Sequence, residues 1–328
     1  MTDLISYTSF QQDRLDLFWR FVSERQAIWY RRYVQHLPAP WTMDPILQHE
    51  RFTNVYRELD PGTQYAIRHI LETPAPTPDK IFNIMLYRLI GRAETHAALG
   101  FQHLETFNPE HMAGVLRRLR DVEHKAPFTA AYMVSAYSGL GTSDKIESVA
   151  LIFATLQAGF PRLYGRITAC RSAAEVYAKL CAIYGFGNFL AYQVLVDLLY
   201  PLTAQGGTPL LPYSHDDWAS AGPGARRGLC LLLRDGIRAP DLEVMQWLRS
   251  HQQAEFARTG EQFRFLRDSR GQLVELSLAN IQNCLCEFHK YVKIRDGTGR
   301  GRRKFRAPSP IRPVPLPFRP ALMAAAPP

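Results

Sequence analysis

The chain has 328 residues, 46% of them hydrophobic, enough for one large or two small helical domains with a true core. No run approaches the roughly 18 apolar residues of a membrane helix, no basic-then-apolar leader is evident, and five scattered cysteines argue against a disulfide framework; an intracellular, reducing setting is expected rather than a membrane or disulfide-stapled secreted protein. Of the net charge of +9, the segment from Lys293 onward carries +8 (nine basic residues against Asp296), so the body is nearly neutral and the tail suits a polyanion, although a solubilising or localisation tail has the same composition.

Helical spacing dominates the body. Residues 10–36 place Leu15, Phe18, Phe21, Val22 and Ile28 near one face, and Pro38 and Pro40 end that element. Asp44-Pro45 has the form of an N-cap followed by proline at the first helical position. Pro74, Pro76 and Pro78 mark a linker, and two lobes divided near 74–110 are one possible organisation of a 1–295 helical domain. Asp79 opens IFNIMLYRLI, apolar nearly all round and therefore expected to be buried. Asn108-Pro109 and Ser143-Asp144 are further helix starts. Residues 172–184 and 188–200 read as two helices with a short join, and 240–257 as another. Residues 263–275 alternate around a glycine-containing turn and form the one expected hairpin. Residues 277–292 are helical with Ile281, Leu285, Phe288 and Val292 inward. From Asp296 to 328 the chain turns Gly/Arg-rich and then Pro-rich, so a disordered or polyproline tail, dispensable for folding, is expected. The fold class is thus mostly α with at most a small β-hairpin.

Four segments could carry chemistry. The first is Tyr184-Gly185-Phe186-Gly187-Asn188 between two helices, the form of a helix-hairpin-helix. Gly185 and Gly187 let backbone N–H groups gather at the start of the second helix, where a phosphate is favoured, and the apolar residue between them plugs the helices together. Such a grip holds a nucleic-acid backbone without reading sequence; a plain tight turn has the same pattern. The second segment is Asp216-Asp217-Trp218, followed by Gly222-Pro223-Gly224 and by Arg226 and Arg227, read as acids beside a second anion clamp or as a surface loop with a helix cap. The third runs from Arg51 to Asp60: on a helix, Asn54, Arg57 and Glu58 share a face, and with Asp60 they suit a base edge, a phosphate or an internal ion-pair network. In the fourth, Glu287, Lys290 and Tyr291 lie away from the core stripe and feed into Arg300, Arg302, Arg303 and Lys304; a solvated helix face would look alike.

Several chemistries are absent from the sequence. There is no P-loop, no nucleophile-elbow serine, no H-E-x-x-H and no deaminase zinc signature, and GFGN lacks the third glycine of a dinucleotide fingerprint. Cys284-x-Cys286 has no partner pair at ligand spacing, so ordinary buried thiols, no metal and no cofactor are expected.

The ordered pieces ERQAIWYRR, PAPWTMDPIL, RFTNVYRELD, YGFGNFLAYQVLVDLLY, DDWASAGPGARRGL and CLCEFHKYVKIRDGTGRGRRKF, spanning about residues 15–306, resemble the α-glutamyl/putrescinyl thymine pyrophosphorylase family. These are amino acid:DNA transferase-like proteins of phage thymine hypermodification, and the same domain is the helical part of 5-hydroxymethyluracil DNA kinases. The resemblance implies a fold like helix-hairpin-helix DNA glycosylases and action on a flipped 5-substituted pyrimidine in duplex DNA. Its reaction would be displacement of pyrophosphate from the 5-methylene carbon by an amine or amino acid, with a separate DNA kinase preparing the substrate. Asp216, Asp217 or Glu287 would then serve as base; Arg226, Arg227 and Lys290 would stabilise the leaving group; Asn54, Arg57, Glu58, Asp60, Tyr184 and Trp218 would form the base pocket. A glycosylase that excises a modified base and a non-catalytic module that recognises modified DNA are the alternatives.

Overall fold

The computed structural model describes residues 5–130, 140–202, 205–268, 271–301, 304–305 and 322–323. The helices are α1 (Gln12–Tyr33), α2 (Pro45–His49), α3 (Pro61–Ala66), α4 (Thr77–Ile90), α5 (Ala93–Leu99), α6 (Pro109–Arg117), α7 (Lys145–Thr168), α8 (Ala173–Cys181), α9 (Asn188–Leu198), α10 (Pro223–Leu232), α11 (Asp241–Arg258) and α12 (Leu278–Arg295). The expected hairpin is present as β1 (Leu266–Asp268) paired antiparallel with β2 (Leu273–Val274), and the two-residue β3 (Leu322–Met323) adds to the other edge of β1. The protein is mostly helical, as the periodicity predicts, and no helix among the described residues is long and apolar enough to cross a membrane.

The chain divides into two compact units: Met1–Asp60 with His215–Pro328, and Pro61–Ser214. The proline run at 74–78 falls inside the second unit. Helix starts follow the caps read from sequence in both units. Asp44 accepts from the Ile46 and Leu47 N–H groups, Asn108 from His111, and Asp144 from Ile146.

In the first unit, α1, α10, α11 and α12 pack around an aromatic centre. Phe18 meets Phe288 edge-on at 5.3 Å, and Trp19 meets Phe256 at 4.8 Å; such pairs add roughly 0.5–1.5 kcal/mol each beyond their area. All four inward residues predicted on α12 are buried. Gly224 and Gly228 have a packing role. A Cβ on Gly224 would collide with the Cys286 side chain, and one on Gly228 with the Leu285 carbonyl, so α10 and α12 cross with their backbones nearly touching.

The second unit has its own core, in which Phe82 packs edge-on against Phe107, Phe153 and Phe160. Helix α4 is buried nearly all round, as its composition predicts. Its Arg88 forms a two-pronged pair with the fully buried Asp197 of α9, both bonds 2.5 Å.

Two expectations change. The Arg51–Asp60 segment is not α-helical: residues 51–54 have no regular structure, and a single 3-10 turn covers Arg57–Leu59. Side-chain capping explains this, since Asp60 takes the Asn54 N–H at 2.9 Å and Asn54 donates to the Leu59 carbonyl at 2.9 Å, offering the backbone an alternative to helical bonds. The start of the basic tail is packed. Asp296 pairs with Arg14, Lys304 pairs with the buried Glu50, and the Phe305 N–H donates to His49. Removing everything after residue 295 would therefore uncover Glu50. The remaining Pro-rich stretch lies outside the described residues, apart from β3.

Candidate active site

The strongest concentration of perturbed charge lies in the first unit, where the Arg51–Asp60 segment is laid between α1 and α12. Three side chains fix its path. Arg25, from the middle of α1, donates to the carbonyls of Phe52 at 3.3 Å and Thr53 at 2.6 Å. Asn283 donates to the Asn54 carbonyl at 3.0 Å and bonds the Thr53 hydroxyl. Asn280 takes the Arg57 N–H at 2.9 Å and hydrogen-bonds the Glu58 carboxylate. Below them, the fully buried Tyr56 donates to the Val274 carbonyl at 2.6 Å, tying the segment to the hairpin.

This path holds two carboxyls where water cannot solvate them well. Glu58 and Asp60 keep a little accessible surface yet are densely surrounded. Loss of hydration pushes Glu58 up to about 7, against the pull of its own backbone N–H, Asn280 and Arg57. The same cause pushes Asp60 up to about 6, opposed by the Asn54 N–H and by Arg57 and Arg25, and reinforced by Glu287. Burial also lowers the Arg25 guanidinium, while Glu287 and Asp60 hold it charged; its buried Nε has no hydrogen-bond partner. Cys284, wholly enclosed beside these groups, is pushed up by desolvation and is an inert thiol at neutral pH. Two carboxyls raised toward neutrality beside arginines can exchange protons with a bound molecule, which makes the cluster a candidate site.

Glu287 and Lys290 extend the cluster along α12. The Lys290 ammonium reaches the Arg51 carbonyl, lies 3.3 Å from Glu287, and sits 4.2 Å from the centre of the Phe52 ring. This face is not the solvated one that its composition allows. Tyr291 is buried, packs its ring tilted against Phe21 at 4.9 Å and donates to Asp44 at 2.6 Å.

The structure therefore joins the third and fourth sequence segments. The second segment, also in the first unit, has other attachments. Both carboxylate oxygens of Asp216 are taken by Arg249 at 2.7 Å, and Oδ1 also accepts from the Leu278 N–H at 3.0 Å, which pins the start of α12. Asp217 is exposed and Trp218 half-buried. Gly222 is the N-cap of α10, Arg226 pairs with Asp241 at 2.8 Å, and Arg227 is exposed. Arg300 is exposed as well, while Arg302 and Arg303 lie outside the described residues.

The hairpin turn belongs to the second unit. Gly185 adopts φ 86°, a conformation that side chains disfavour. Phe186 is 1% exposed and packs near Phe153, as expected of the plug between helices. Gly187 caps α9, with Gly187, Asn188 and the aromatic rings of Tyr184 and Phe189 at the surface.

Sequence reasoning missed Arg25, Asn280 and Asn283, while Cys284 is the buried thiol it expects. The signal for the asparagines was present: Asn280 and Asn283 stand three apart on one face of a helix whose other polar positions are charged or amide-bearing. Among the described residues no group of histidine, cysteine and acidic side chains could hold a metal ion, and all five cysteines are free, with Cys284 buried and Cys230 exposed.

Comparison with known proteins bears on this arrangement. Residues 12–301 match the family described as 5-hmdU DNA kinase, helical domain. The 5-hmdU DNA kinase of Bacillus phage SP10 is 30% identical over 292 residues, covering 84% of this chain and 44% of that protein. The chain thus spans less than half the length of that relative. No solved structure matches.

Proposed function

The chain belongs to the family of 5-hmdU DNA kinase helical domains, and from that premise we propose that it modifies a 5-substituted pyrimidine in DNA, within thymine hypermodification. The substrate is 5-hydroxymethyluracil whose hydroxyl a separate DNA kinase has converted to a pyrophosphate ester. An amine or amino-acid nitrogen attacks the 5-methylene carbon. The carbon–oxygen bond breaks, pyrophosphate leaves with the electron pair, and the nitrogen's proton passes to a carboxylate.

The observation that carries this reading is the Glu58–Asp60 pair, raised to about 7 and about 6 by burial beside Arg57 and Arg25. A base with its pKa near the working pH is most effective, and such a group typically contributes about 10²–10⁴ in rate. Arg57 and Lys290 supply cationic stabilisation for departing pyrophosphate. Glu287 lies close enough to shift Asp60 and Arg25 and shares the proton balance of the site. In this reading Asp216 anchors α12, Asp217 and Trp218 lie at the edge, and the base pocket is formed by Asn54, Arg57, Glu58 and Asp60. The start of α9 at Gly187 and Asn188, behind the Gly185 turn, suits a phosphate, and the exposed Tyr184 ring lies beside it in the chain. Gly222, Arg226, Arg227, Arg300 and Lys304 supply further phosphate contacts.

The test is mass spectrometry of nucleosides from DNA bearing pyrophosphorylated 5-hydroxymethyluracil, incubated with the full chain and a panel of amines and amino acids. A heavier, amine-bearing nucleoside that disappears in a Glu58→Gln, Asp60→Asn double variant is the expected result. Release of free base instead assigns a glycosylase, and binding with no product in any condition assigns a non-catalytic reader of modified DNA.

A further inference from the structure

The first unit carries a run of cations along α12 and the segment after it, and contacts bring its members together. The His289 imidazole is pushed down by partial burial and by the charges of Arg227 and Lys293, so α10 adds an arginine to the α12 run. Past α12 the chain turns back on itself. The Thr298 hydroxyl donates to the Lys293 carbonyl at 3.3 Å, and Gly299 lies so close to the Lys293 stem that a Cβ there would strike it. Gly301 passes directly against the Glu50 carboxylate, leaving no room for a Cβ. Lys304 then pairs with Glu50, and the Phe305 N–H donates to the His49 carbonyl at 2.8 Å. Arg51 follows Glu50, and its carbonyl takes the Lys290 ammonium. Arg227, Lys293, Arg300, Lys304, Arg51 and Lys290 therefore belong to one continuous stretch of the molecule.

Acids do not cancel this charge. Those on and beside these elements each hold a partner of their own: Glu50 pairs with Lys304, Glu287 with Lys290, Asp296 with Arg14 and Asp241 with Arg226, while Asp44 caps α2 and accepts from Tyr291. Arg51, Arg227 and Arg300 are exposed and Lys293 half-buried, and among the described residues none of the four makes an ion pair. None of the large apolar side chains exposed among the described residues lies on these elements either. A protein partner would look for aromatic or apolar anchors at the centre of such a patch; a phosphate backbone needs only cations set in place. The 297–305 segment is set in place, since Glu50 is 5% exposed and holds it through Gly301 and Lys304. Cations fixed beforehand lose less freedom when they bind.

We propose that the surface from Arg227 through Lys293 and Arg300 to Arg51 is a track for the sugar-phosphate backbone of duplex DNA, with the 297–305 segment held on Glu50 as a fixed part of it. This rests on the DNA-modifying reading and names where the first unit holds its polymer. Lys290 joins the track to the carboxylate cluster, since it reaches the Arg51 carbonyl and pairs with Glu287.

The experiment measures binding of the full chain to a fluorescent duplex by anisotropy, across about 50 to 200 mM salt, and reads the slope of log affinity against log salt. Arg227→Gln, Lys293→Gln and Arg300→Gln should each make the slope shallower by about 0.9, and the triple variant by about 2.7, with the loss alike for every DNA sequence. Gly301→Ala removes no charge but drives the segment off Glu50, and should weaken binding about threefold or more. Unchanged binding by Gly301→Ala overturns the fixed segment. Unchanged slopes in the three charge variants overturn the track, and if those variants instead lose binding to poly-glutamate, the surface serves an acidic protein. Modified nucleoside formed by the same variants leaves the function reading standing in either case. A wild-type chain that binds no duplex overturns the track, and if it also yields no modified nucleoside, the function reading fails with it.

Discussion

The Arg51–Asp60 segment and the Tyr184–Asn188 turn are both short irregular joins, yet they are built on opposite principles. The first buries charge: Glu58, Asp60 and Arg25 are drawn out of water beside the buried Arg57, and burial raises the two carboxyls and lowers the guanidinium of Arg25. The second buries only a phenyl ring, Phe186, and leaves Gly187 and Asn188 at the surface with the start of a helix behind them. Desolvated carboxyls are expensive to hold and useful for moving protons; an exposed glycine turn costs little and suits holding a backbone. The proposed function accordingly gives chemistry to the first region and grip to the second.

The largest expected effect would break this assignment if it failed. Glu58→Gln with Asp60→Asn should lower turnover by about 10²–10⁴ while leaving DNA affinity within a few-fold. The same change should stabilise the protein at pH 8. Each carboxyl has a folded pKa above its ordinary value of 4.5 or 3.8, so the folded state binds protons more tightly. Stability is then fullest at low pH and falls as pH rises toward about 7, when the buried groups must ionise. Removing that penalty should gain about 2 kcal/mol in urea unfolding at pH 8, and little at pH 5. The wild-type rate should rise with pH across 6–7 as the two bases ionise.

A smaller effect separates scaffold from site. Gly228→Ala would drive a methyl into the Leu285 carbonyl, and about 1–3 kcal/mol of stability should be lost by urea unfolding. The hairpin is sharpened by Gly185→Ala, whose φ of 86° costs roughly 1–2 kcal/mol. DNA affinity should fall by a similar factor for every sequence, with turnover at saturating DNA unchanged. The smallest change in stability is expected from Arg226→Ala, which breaks only an exposed, solvent-screened pair with Asp241 and should leave the urea midpoint unmoved.

Much of this fold is legible in the chain because helices announce themselves by period and cap. The stripe Ile281, Leu285, Phe288 and Val292, the caps at Asp44, Asn108 and Asp144, and the plug Phe186 all follow from local rules. The Arg51–Asp60 segment does not, because Asn54 and Asp60 satisfy its backbone from the side and override the helical spacing. Arg25 is invisible for another reason: on an amphipathic helix it reads as surface charge, and its partners are carbonyls 27 and 28 residues away. Asp216 shows the reverse. Its acidic pair looks chemical in sequence, but its oxygens are engaged by Arg249 and the Leu278 N–H, contacts that no local pattern announces.

The central claim is that protons move through Glu58 and Asp60. Its most direct test is single-turnover conversion of pyrophosphorylated 5-hydroxymethyluracil DNA by Glu58→Gln, Asp60→Asn and Asp217→Asn chains, followed by nucleoside mass spectrometry. The account predicts that the first two lose product formation by at least about a hundredfold and that Asp217→Asn retains it. Full activity in the Glu58 and Asp60 variants, with loss in Asp217→Asn, would contradict it.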